Sequence, residues 1–125
     1  MVKVAVVKAD SYDKHVVELA LKELLDELGG IAKFIKPNTK VLIKPNMLEG
    51  VKKELSITTH PEVVRAVIRQ VKKAGATPLV GDSPGVGSTL KAAEKCGILE
   101  VCQQEGVELI SFTDKIEVLF PEGMT

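Results

Sequence analysis

Short runs of β-branched residues alternate along this chain with longer stretches of helical period, and that alternation leaves little besides an α/β fold. Val4 to Val7 is a continuous apolar run of the kind found in strands covered on both faces. Asp10, Ser11 and Asp13 then supply helix-capping chemistry. From Asp13 to Leu28 the positions Val17, Leu21, Leu24 and Leu28 recur at spacings of three and four, with Val16, Ala20 and Leu25 widening the stripe. Gly29 and Gly30 stop that helix, and Ile31 to Pro37 reads as a short helical turn or connector. Lys40 to Lys44 is the second strand, ended by Pro45, which has no N–H for a ladder.

Thr59 or His60 caps the next helix, whose first turn holds Pro61 and Glu62, both favoured there. Val63, Val64, Val67, Ile68 and Val71 form its buried stripe, and Lys72, Lys73 and Gly75 close it before a third strand over Thr77 to Val80. Ser88 caps a helix running to about Lys95, a shorter one covers Ile98 to Glu105, and Val107 to Phe112 is a fourth strand. Thr113-Asp114 reads as a tight turn into Lys115 to Phe120, a hairpin or a strand leaving the sheet. Parallel strands need crossovers, and helices supply them. The expected architecture is a three-layer αβα Rossmann-like sandwich with a mainly parallel sheet and helices on both faces, forming one α/β domain over residues 1–125.

Basic and acidic side chains number 17 each, so no charge bias calls for nucleic acid. No apolar run approaches the roughly 18 residues of a membrane span. The apolar start is too short for a secretion signal and lacks a small-residue cleavage site, which gives a cytoplasmic expectation without a membrane partner. Cys96 and Cys102 are six positions apart with Gly97 between them, which fits neither a zinc clip nor a redox pair and reads as buried, inert thiols. Two thiols also fall short of the four thiolates of a usual iron–sulfur cluster, so this chain alone holds no such cofactor.

Three polar turns follow the predicted strands: Lys44-Pro45-Asn46, Thr58-Thr59-His60-Pro61 and Gly81-Asp82-Ser83-Pro84-Gly85. In an open α/β sheet the carboxyl ends of the strands are where ligands bind, so these turns mark a site. The stretch from Asn46 to Ile57 reads as an exposed loop of a length that is often functional. Gly81 to Ser88 joins a strand to a helix, where backbone donors and the helix dipole favour an anion. It lacks the Gly-Lys-Ser/Thr of a P-loop, and Gly81, Gly85 and Gly87 do not keep the dinucleotide spacing. A tight turn that simply needs glycine is the more ordinary account of it.

Each of the other residues carries a similar pair of readings. Asp82 closes a buried strand, where a carboxylate needs donors, a metal or a ligand. Lys44 either neutralises an anion or is a solvated strand end, and Asn46 either orients a ligand or satisfies a proline turn. Thr59 and His60 act as ligands or as caps, and no histidine or cysteine stands at metal-binding spacing from His60. The candidate ligand-binding set is Lys44, Asn46, Thr59, His60, Asp82, Ser83, Gly85, Gly87 and Ser88, with no metal site. No Ser-His-Asp order has supporting context, so no catalytic residue or reaction is assigned.

The segments Val41 to Asn46, Thr59 to Val67 and Val80 to Gly85 together resemble the amino-terminal half of the domain of unknown function 362 family. Its members are often described as iron–sulfur cluster-binding proteins, many with ferredoxin-like cysteine motifs downstream. The resemblance implies that residues 1–125 are the amino-terminal fragment of a longer protein, with any cluster and the second lysine-rich motif lying outside them. Two expectations follow. One is the amino-terminal α/β domain of a redox or electron-transfer protein, partnered by its missing carboxyl-terminal portion or a ferredoxin-like domain, with an exposed sheet edge open to homo-oligomers. The other is a small domain binding a phosphorylated metabolite, nucleotide or other small anionic ligand at the glycine-rich turn.

Overall fold

Three parallel strands lie side by side in chain order: β1 (Lys40–Ile43), β2 (Thr77–Asp82) and β3 (Glu108–Ser111). They belong to a computed structural model that describes residues 2–114, 116–119, 121 and 123. Ile43 pairs with Val80, and Val80 with Leu109, so one apolar row crosses the sheet. The crossovers are α2 (Pro61–Lys73) between β1 and β2, and the pair α3 (Thr89–Lys95) and α4 (Ile98–Glu105) between β2 and β3. A first helix, α1 (Lys14–Glu27), precedes them and packs on α2.

Local chemistry sets the boundaries of these helices. Asp13 Oδ1 accepts the His15 N–H at 2.9 Å and starts α1, His60 caps α2 and Ser88 caps α3. Gly106, in the left-handed region, ends α4. The turn at Ile31–Lys33 is a 3₁₀ helix, as the short connector suggested.

Val64 and Ile68 of α2, Ala92 and Ala93 of α3, and Ile98, Val101 and Cys102 of α4 close over Val80, with Ile43 and Leu109 packed against them. Each fully buried aliphatic side chain here contributes about 1.5–3 kcal/mol. Beside this core, Arg65 and Arg69 of α2 both reach Glu105 of α4, and Arg69 also pairs with Glu18 of α1. These ion pairs link α1, α2 and α4 beside the apolar core.

The expected α/β, Rossmann-like class is what the chain has. The helical layers differ from expectation. Strands that follow one another in the same direction, with crossovers of the usual hand, put every crossover on one side. Accordingly α2, α3 and α4 share one core, while Leu42, Leu79, Ile110 and Phe112 lie on or beside the other face and outside that core.

Three further expectations need correction. Val4 to Val7 is not a strand, because among the described residues no strand pairs with it and Lys3 instead bridges to Glu27 of α1. Asn46 to Ile57 is not simply an exposed loop, since Met47 is wholly buried and a 3₁₀ turn forms at Lys53–Leu55. Ile116 to Leu119 is not in a strand, and the expected strand ends Lys115 and Phe120 lie outside the described residues.

Candidate functional site

The carboxyl end of β2 places Asp82 at the boundary between the core and the polar turns, with only 3% of the residue exposed. A carboxylate so buried must be satisfied, and the neighbouring turns satisfy it. Oδ2 accepts the Met47 N–H at 2.8 Å, and Lys44 Nζ lies 2.7 Å from Oδ1. That second contact is an ion pair rather than a well-aimed hydrogen bond. Burial alone raises the Asp82 pKa, but the Lys44 ammonium and the Met47 and Ser83 N–H groups outweigh it and hold the carboxyl below its usual value. Asp82 is therefore an anion at neutral pH, and Lys44 its half-exposed cation.

The other turns are fastened to the same point. Gly85 N–H donates to Leu48 O at 2.8 Å, and Thr59 N–H donates to Asn46 O at 3.2 Å. Thr89 Oγ1 donates to Asp82 O at 3.0 Å, so the start of α3 is fixed to the end of β2. Lys44, Asn46, Thr59, Asp82, Ser83 and Gly85 are thereby brought together at one end of the sheet. Thr58 is buried beside them, its hydroxyl without a hydrogen-bond partner among the described residues.

The remaining candidates have structural duties. His60 Nδ1 accepts the Glu62 N–H at 3.2 Å, which makes it the cap of α2 with the neutral ring's proton on Nε2. Its ring stacks on Tyr12 with centroids 3.8 Å apart and planes 9° from parallel. Burial, then the nearby Lys53 charge, lowers the His60 pKa below 6.5. Ser88 Oγ accepts the Lys91 N–H at 3.4 Å. Gly87 adopts φ +79°, which favours glycine, whereas Gly85 has open space where a Cβ would stand. Gly81 is required by packing, because a Cβ there would come within 2.7 Å of Ile110 Cγ1.

Met47, Tyr12 and Thr89 were missed by the sequence reading. Met47 carried a faint signal, being apolar beside a turn otherwise made of polar residues. Nothing in the spacing connects Tyr12 to His60, which lies 48 positions further on. Crevices in the surface of the described residues lie apart from the Asp82 contacts. A charged one of about 300 Å³ runs between Lys52 to Glu54 and the α3–α4 junction, and an apolar one of about 410 Å³ lies between α1, Val63 and the segment before α1.

Parallel strands with helical crossovers and polar turns gathered at their carboxyl ends define an α/β unit of the Rossmann-like type. Residues 41–125 match the family described as Domain of unknown function (DUF362), and the chain belongs to that family. It is also 40% identical over 113 residues to the "Thylakoid-associated protein sll1697" of Synechocystis sp., a match covering 90% of this chain and 35% of the relative. The chain thus spans about a third of the length of that relative. No solved structure matches it.

Proposed function

We propose that this chain is a ligand-binding unit of the DUF362 family whose carboxyl edge takes a small anion, such as a phosphorylated metabolite or nucleotide. The observation that carries this reading is the convergence of three turns on Asp82, which holds the Lys44 ammonium half-exposed beside the turn from Gly81 to Ser88. Lys44 would neutralise the anion, Asn46 and Thr59 would orient it, and Gly85 would let backbone approach it closely.

The test is thermal unfolding with inorganic phosphate, pyrophosphate, ATP and citrate. Saturable stabilisation is expected, about 2.7 kcal/mol at a hundredfold excess over Kd. Gly85→Ala should weaken binding while leaving the ligand-free melting temperature unchanged, since its new Cβ would meet nothing within 4 Å. An unmoved transition across all four ligands overturns the proposal.

A second reading makes the chain the amino-terminal α/β part of a longer iron–sulfur or electron-transfer protein. The motif resemblance and the one-third coverage of the relative favour it. Cys96 and Cys102 lie in the core, and burial raises both thiols, Cys102 to about 11, so the cluster would be held by cysteines outside residues 1–125. Iron and acid-labile sulfide in the native gene product, purified without oxygen, test this reading, and their absence overturns it. Residence in the cytoplasm belongs to the same proposal, although no described helix is long and apolar enough to cross a membrane and the relative's name places that protein at the thylakoid. Recovery in the membrane fraction would overturn it.

A further inference from the structure

We infer that residues 2–7 become a β-strand in the assembled protein, paired with a strand of further polypeptide corresponding to the part of the cyanobacterial relative beyond the match. The inference rests on the second reading only in requiring a longer polypeptide, and it requires no cluster.

Val2, Val4 and Val6 are 90%, 78% and 90% exposed, while Ala5 and Val7 between and after them are half-buried. Alternation with period two is the signature of a strand lying on a surface. Here its outward face is valine, a residue that favours strands and gains from burial. Among the described residues no strand pairs with this segment, and none of its backbone groups takes part in a turn or loop hydrogen bond. It is a strand in side-chain pattern and an unpaired one in its backbone.

The sheet supplies an independent observation. Its helix-free face presents Leu42 and Ile110, with Phe112 just beyond β3, and Leu42 is 49% exposed. A sheet with one bare apolar face calls for a second layer. In the relative, about two thirds of the chain lies outside the match, which is ample material for such a layer and for a strand against residues 2–7. A second copy of this chain fits less well. Its open edge strands, β1 and β3, each offer only four residues to a segment of six.

The test compares the 125-residue chain with a chimera in which residues 1–125 replace the matched part of the cyanobacterial relative. Amides of residues 4–7 should exchange about a hundredfold more slowly in the chimera. The double substitution Val4→Lys and Val6→Lys should leave the melting temperature of the 125-residue chain unchanged and lower that of the chimera. The same two substitutions in the native gene product give a readout that does not depend on the chimera folding, and a lowered melting temperature is expected there too. Equal exchange in both proteins, with no effect of the substitutions on the longer one, overturns the inference. Concentration-dependent protection in the 125-residue chain alone overturns it in favour of a second copy, and protection arising only on anionic lipid vesicles overturns it in favour of a membrane surface.

Discussion

Asp82 Oδ2 accepts the backbone N–H of Met47 at 2.8 Å across 35 positions of sequence, and this one bond ties the turn after β1 to the end of β2. Removing the carboxylate with Asp82→Ala strands that buried N–H and leaves Lys44 without its partner. The expected cost is about 1–3 kcal/mol, most of it from the unsatisfied donor because Lys44 is half-exposed. Asp82→Asn keeps an acceptor for Met47 and should cost less. Urea unfolding of the two variants gives the ranking, and an equal loss in both would assign the effect to charge alone.

The same carboxylate sets an acid limit. Its pKa is held below 3.8 in the folded chain, so its contribution is fully present above the unfolded value and is lost as pH falls through the folded one. Glu105, held below 4.5 by Arg69 and Arg65 against the effect of its burial, acts in the same direction. Melting temperature followed from pH 6 down to pH 2 should fall less steeply in Asp82→Asn than in the parent. Parallel curves would show that Asp82 is not among the titrating groups.

His60 predicts a separate transition at higher pH. Its ring is favoured as the neutral form, so the stability it confers is present above about 6.5 and declines as pH falls towards its lower folded value. Protonation at Nδ1 also removes the acceptor for the Glu62 N–H. His60→Ala should cost about 1 kcal/mol, and His60→Asn, which can still cap, should cost less. A proton NMR titration of the imidazole that returned a value above 6.5 would contradict this assignment.

Gly50 should tolerate no side chain. It sits at φ +66°, and a Cβ would fall 2.4 Å from Ala92 Cα, a backbone atom that cannot swing away. Gly50→Ala should destabilise by about 1–3 kcal/mol, as overpacking does. Gly85→Ala is the control and should be neutral. Equal melting temperatures for the two variants would mean that the loop moves off Ala92 without cost.

Much of this arrangement was legible in the sequence, for reasons that differ by element. Helix α2 announced itself through Val64, Ile68 and Val71 and through His60, Pro61 and Glu62, because apolar period and cap chemistry are both local. The three turns were visible as polar residues ending apolar strands, and the strand order turns that sequence pattern into one edge. Val4 to Val7 misled because composition reports the tendency to pair, whereas pairing needs a neighbour, and none among the described residues pairs with it. The side on which the helices lie depends on strand order, which no single segment encodes. Met47 was hidden for a related reason: its burial follows from Asp82 and the helical layer, both remote from it in sequence.

Met47 has no exposed surface, and it sits one residue after Asn46, within the turn that bears the proposed ligand groups. The edge and the interior are consequently one cooperative body. A truncation deep in the helical layer, such as Ile68→Ala or Ile98→Val, would register as a change in ligand affinity without touching any ligand group. Occupancy of the edge would in turn slow the opening of the core, so in a series of interior variants affinity and resistance to unfolding should rise and fall together.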